Sequence, residues 1–160
     1  GHITGSAWLV DPSGSEVLLT HHRKLDRWLQ LGGHSDGDPD TAAVALREAG
    51  EESGLAVELL SPDILDIDIH EIPARKDDPA HFHFDVRYVV ASTSGRDYQV
   101  SAESNNLAWV AIEAVESLTR EPSILRMARK WADWRVQEAQ RAHEAQKGLA
   151  TAPAPQRAKR

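Results

Sequence analysis

The sequence predicts a single domain of the α/β class, on three observations. Its 160 residues suit one compact domain and leave little room for two. Segments that alternate apolar and polar residues, the strand signature, lie on both sides of a helix that is punctuated at both ends. Apolar residues make up 41% of the chain, an ordinary globular share, which excludes a disordered or fibrous class.

The elements follow in order. Residues 3–10 and 15–21 read as short strands around the turn cluster Asp11-Pro12-Ser13-Gly14. After a polar, basic stretch from His21 to Arg27, Trp28 to Leu31 is a further short strand. The glycine-rich, acidic loop Gly32 to Asp38 leads into a helix at 39–53. There Asp38 is the expected N-cap and Pro39 the first helical residue, a position where a missing N–H costs nothing. Ala42, Leu46 and Ala49 keep helical spacing, and Gly54 suits the C-terminal cap. Residues 65–70 and 81–88 alternate at period two and read as strands joined by the polar loop 73–80. On the second of these, His81, His83, Asp85 and Arg87 share one face, and Phe82, Phe84, Val86 and Tyr88 the other. The apolar face is the expected core side, so truncating Phe84 is expected to cost about 3–5 kcal/mol. Residues 107–111 form another strand. A long helix at about 123–147 carries the stripe Ile124, Met127, Ala128, Trp131 and Trp134, and then turns polar. The domain is expected over 3–147, with 148–160 a flexible Ala/Pro-rich tail and Gly1-His2 reading as a tag scar.

Composition narrows the function. The chain has no cysteine, which excludes disulfides, thiolate zinc sites and a cysteine nucleophile. Its 25 acidic against 18 basic residues give a net charge of −7, which argues against a nucleic-acid partner; phosphates would need bridging cations. No run of 18 apolar residues predicts a membrane span, no signal segment is visible, and the expected compartment is the cytoplasm.

The most informative stretch is Arg47-Glu48-Ala49-Gly50-Glu51-Glu52-Ser53-Gly54-Leu55. At roughly 100° per residue, Glu48 and Glu52 lie one helical turn apart with Glu51 near the same face. Carboxylates held this close repel one another unless they share hard divalent cations. A solvated acidic face is the plainer alternative. Arg47, four residues before Glu51, is placed to orient it.

These residues resemble the Nudix hydrolase signature, G-x5-E-x7-R-E-U-x-E-E-x-G-U, with U a bulky aliphatic. Gly33, Arg47, Glu48, Glu51, Glu52, Gly54 and Leu55 fall at its spacings. Ala49 fills an aliphatic slot, and Pro39 stands where the first Glu belongs, flanked by Asp38 and Asp40. The resemblance implies an α/β/α sandwich with a mixed sheet and a loop–helix–loop motif. It also implies a hydrolase of nucleoside diphosphates linked to another group, dependent on Mg2+ or Mn2+. By the same carry-over, Glu48, Glu51 and Glu52 are metal ligands, a backbone carbonyl near Gly33 is a further one, and Glu103 is an extra acid from a loop. The first expectation for the substrate is a nucleoside triphosphate, cleaved to the monophosphate and pyrophosphate. A nucleotide sugar, a dinucleotide, or nucleotide sensing without catalysis are the alternatives. The protein is expected as a monomer or homodimer.

Candidate substrate contacts come from two places. Arg23, with Lys24 and Arg27, supplies positive charge before the signature, and Trp28 offers a stacking surface. His81, His83 and Arg87 share a strand face that reads as a substrate pocket, as a His-x-His metal chelate, or as a plain water-facing surface.

Overall fold

The computed structural model describes residues 1–22, 25–74, 79–100 and 104–150. Its strands are β1 (His2–Val10), β2 (Glu16–His22), β3 (Arg27–Leu29), β4 (Leu31–His34), β5 (Val57–Leu59), β6 (Asp66–Ile72), β7 (His81–Ser92) and β8 (Ser104–Ala111). Three α-helices accompany them: α1 (Thr41–Ser53), α2 (Val115–Leu118) and α3 (Pro122–Ala150).

The strands form one mixed sheet. β1 and β7 run parallel at its centre, from His2 opposite His83 to Val10 opposite Ala91. Every other pairing is antiparallel: β4 and β2 with β1, β6 and β5 with β7, and β3 and β8 with β2. Helices cover both faces, which gives the α/β/α sandwich. Ala7, Leu9, Leu18, Leu31, Val90 and Leu107 pack with Ala49 and Leu55 of α1 and its C-terminal cap. Trp8, Val10, Val17, Leu19 and Val89 pack on the other face with Ile124, Met127 and Trp131 of α3. A central strand buried on both faces is uniformly apolar, as Ala7-Trp8-Leu9-Val10 is.

The structure moves several expected boundaries. α1 is capped by Asp40, whose side chain accepts the Ala43 N–H at 3.0 Å, so Asp38 is not the cap and Pro39 precedes the helix. Gly54 closes the helix as expected, in the left-handed conformation (φ 70°) with its N–H on the Gly50 carbonyl. The stretch from Trp28 to Leu31 divides between β3 and β4. β5, α2 and a single 3-10 turn at Ile112–Ala114 are additional elements. α3 continues through Gly148 to Ala150, so helix replaces the first residues of the expected tail. Among the described residues, no helix is long and apolar enough to cross a membrane.

The largest correction concerns β7. Phe82 and Phe84, assigned to the core side, are 50% and 42% exposed, whereas Asp85 and Arg87 are 2% exposed. Alternation correctly separated the two faces. α1, however, covers only part of the apolar side, and a polar network closes over the other.

Candidate active site

β4 brings the glycine pair onto the sheet, with Gly32 opposite Ser6 and Gly33 opposite Gly5. α1 crosses above it. The Gly32 N–H donates to Glu52 Oε1 at 2.8 Å. Glu48 lies directly on Gly33: a side chain there would come within 2.5 Å of Glu48 Cδ and Oε2. Only glycine leaves room for that carboxylate. Arg47 Nη2 donates to Glu48 Oε1 at 3.2 Å, so its partner is Glu48 rather than the expected Glu51. Glu51 is exposed, while Glu48 and Glu52 are half-buried. The hydroxyls of Thr41 and Tyr88, 2.8 Å apart, tie the start of the helix to β7. Glu48 and Glu52 are thus drawn onto a glycine backbone with Arg47 beside Glu48, whereas Glu51 stays exposed; among the described residues, the three glutamates do not come close enough together to share an ion as they stand.

The opposite face of the sheet carries charge. Asp85 accepts from Thr4 Oγ1 and Ser6 Oγ, both at 2.7 Å, from Gln30 Nε2 at 3.0 Å and from Arg87 Nε at 2.7 Å. Arg87 also reaches Asp66 at 3.3 Å and Asp68 at 3.6 Å. Arg126 of α3 binds Asp66 at 2.7 Å and Asp68 at 2.9 Å, and Lys130 binds Asp66 at 2.7 Å. Burial pushes the Asp66 carboxyl upward, but Arg126 and Lys130 outweigh it and hold the group below its ordinary range. Burial likewise raises Asp68, and Arg126, Arg87 and His70 together bring it below that range. The same two aspartates raise the Arg126 guanidinium. Arg87, expected as a substrate contact, is therefore enclosed by three carboxylates and nearly shut off from solvent.

His81 and His83 do lie together, and the sheet gathers further imidazoles around them. His83 faces His70 across β6 and His2 across β1, so the residue read from the sequence as part of a tag scar is here a paired residue of β1, and His34 stands at the end of β4. Nε2 of His83 is 3.2 Å from Nε2 of His34 and 3.3 Å from Nε2 of His81. Burial first, then His34, His70, His81 and His2, lower the His83 pKa to about 4. Trp28 packs against the α3-side core and the His21 ring, 5.2 Å between centroids, which gives it a packing role. Arg23, Lys24 and Glu103 lie outside the described residues. Sequence reasoning missed His2 and His34 as neighbours of His83, because the parallel β1–β7 register, spanning some eighty positions, brings His2 there and the β1–β4 pairing brings His34.

A family model described as the NUDIX domain matches residues 2–132. No curated protein matches the chain. Among solved structures, a Caenorhabditis elegans Ap4A hydrolase in a binary complex superposes with a TM-score of 0.69 at 17% identity, covering 86% of this chain and 99% of that one. A NUDIX-family hydrolase from Clostridium perfringens gives 0.61 at 24% identity, covering 82% and 96%. A MutT protein from Methanosarcina mazei gives 0.62 at 19% identity, covering 84% and 94%.

Proposed function

The chain belongs to the NUDIX hydrolase family, and on that premise we propose that it cleaves a phosphoanhydride bond of a nucleoside triphosphate, giving the monophosphate and pyrophosphate. The observation that carries this reading is the seating of Glu48 and Glu52 on the Gly32–Gly33 backbone.

The donor set suits a hard divalent cation, Mg2+ or Mn2+. It offers only oxygen ligands, from Glu48, Glu51, Glu52 and the backbone at Gly33, and the glycine leaves a cradle that any Cβ would fill. When bound, such a cation neutralises phosphate oxygens and makes a bound water acidic. The chain's own groups do the rest. The Gly32 N–H fixes Glu52 Oε1, so the remaining oxygen of that carboxylate keeps one direction. Arg47 restrains Glu48 Oε1 and offsets part of the mutual repulsion of the carboxylates. Glu51 is the third oxygen donor, on the exposed side of the helix. Preorganised charge of this kind is worth most where it is fixed before the substrate arrives. Arg23 is assigned to the distal phosphates, whereas Arg87 is left out because its donors already face Asp66, Asp68 and Asp85.

The test is a panel of nucleoside triphosphates, nucleotide sugars and dinucleoside polyphosphates, incubated with Mg2+ and read by product phosphorus NMR. Pyrophosphate release from one or more triphosphates, abolished by excess chelator, is the expected result. Full turnover in chelator overturns the metal role. Cleavage confined to nucleotide sugars or dinucleotides replaces the triphosphate. Tight nucleotide binding without any cleavage makes the domain a sensor, the reading that Pro39 in the first acid slot favours.

A further inference from the structure

We propose that His2, His81 and His83, with His34 beside them, form a second metal site, for a transition-metal dication of the zinc class, on the sheet face opposite the glutamates.

The sheet register builds this site. His83 is the Cα partner of His2, His34 follows on β4 opposite Thr4 of the same β1 strand, and His81 lies two residues along β7 on the same face. One nitrogen from each of His2, His81 and His83 falls within 4.8 Å of the others. His34 closes on His83 from the β4 side, Nε2 to Nε2 at 3.2 Å, and His81 does so at 3.3 Å. Tetrahedral zinc–imidazole bonds of about 2.0–2.1 Å place neighbouring ligand nitrogens about 3.3 Å apart, the spacing of His83 from His34 and from His81.

Proton counting points the same way. His81 Nδ1 lies 2.8 Å from the Pro79 carbonyl, so it carries the proton and leaves a lone pair on Nε2. If His83 Nε2 donates to His81, it has no lone pair left for a proton from His34. If it accepts from His34 instead, its contact with His81 holds no proton. A neutral cluster therefore satisfies one of the two contacts well, whereas a cation accepts lone pairs from all. The His81–Pro79 bond is the outer contact that fixes a ligand tautomer. Access exists as well: His2 and His34 line a cavity of about 570 Å³ shared with Asp36 and Asp38. Imidazole donors select for borderline metals, and the glutamates for hard ones, so the two sites sort different ions.

This inference does not rest on the hydrolase reading. Chelator-stripped protein is titrated with Co2+ in saturating Mg2+, followed by visible absorption, and then with Zn2+. The expected result is one Co2+ per chain with the intense spectrum of a four-coordinate, nitrogen-rich site, displaced by one equivalent of Zn2+. Glu48→Gln and Glu52→Gln leave that spectrum unchanged. His34→Asn, His81→Asn and His83→Asn each weaken Co2+ binding by about tenfold or more, the scale of losing even an outer contact of a metal site. Circular dichroism reports the fold of each variant, and exposed His34 supplies the substitution least able to disturb it. The proposal is overturned if Mg2+ displaces the Co2+ signal, if the glutamate variants abolish it, or if the folded histidine variants bind Co2+ like the parent.

Discussion

Replacing Gly33 with alanine separates catalysis from folding at one atom. The new Cβ would lie 2.5 Å from Glu48 Cδ and Oε2 and 2.9 Å from Oε1. Ordinary contact begins at 3.4 Å, so the carboxylate must retreat by roughly 0.9 Å. Everything the Cβ meets is the far end of a flexible side chain, and Gly33 does not adopt a left-handed backbone. The stability cost is therefore expected to be about 1 kcal/mol or less, as for substitutions that meet no rigid neighbour. The catalytic cost is expected to be far larger, because a misplacement of about 1 Å in a reacting constellation lowers rates about a hundredfold. The measurement pairs the catalytic constant on the best substrate of the panel with urea unfolding of the same protein. Parent-like turnover would refute the reasoning, since it would mean that Glu48 does not need its place on Gly33. Unfolding at much lower urea would refute it differently, by showing that Gly33 serves the fold.

Other expectations follow from the same geometry. Glu52→Gln and Glu48→Gln keep the shape and remove the charge, so the catalytic constant should fall by about a hundredfold or more while urea unfolding stays near the parent. Asp66→Ala removes the shared acceptor of Arg87, Arg126 and Lys130 and should cost about 3–5 kcal/mol by urea unfolding, the penalty for opening a buried ion-pair network. The folded-state pKa values of Asp66 and Asp68 are lowered, so their stabilisation is full above the ordinary value of 3.8 and is lost as pH falls below it. Unfolding curves from about pH 5 down to about pH 2 should show that acid limb in the parent and a flatter one in Asp66→Asn. Phe84→Ala, at 42% exposure, should cost about 1–2 kcal/mol, the burial share of a half-covered ring, and a loss of 3–5 kcal/mol would place it back in the core.

What the sequence disclosed depended on how local the signal was. Helix α1 was legible because its punctuation lies within the helix and its flanks, and Gly54 closes it as expected. Its start shifted because Asp38 and Asp40 are both competent caps, and only the bond from the Ala43 N–H to Asp40 decides between them. β5 spans three residues, too few for a period to show. The β7 faces were separated correctly and then assigned the wrong surroundings. Alternation reports which side chains share a side, not that Asp85 and Arg87 are buried by partners from β1, β6 and α3. The imidazole cluster was half visible for the same reason: His81 and His83 are two residues apart, whereas His2 and His34 join them only through strand pairing.

The parallel pairing of β1 with β7 also sets an order of events during synthesis. His2 meets His83 and Val10 meets Ala91, so β1, buried from Thr4 to Val10, waits some eighty residues for its main partner. At roughly 5–20 residues per second, that wait lasts several seconds on the ribosome. Until then β1 has only the short β4 and the end of β2 to pair with, and one of its edges stays open to other chains. Contacts so distant in sequence slow the final closure, which couples the assembly of both helical layers to a single late event. Chains interrupted before residue 92 would leave β1 without its parallel partner, and chains interrupted before α3 would still expose Trp8 and Val10, so a ladder of C-terminal truncations should change from aggregating to soluble only once α3 is included.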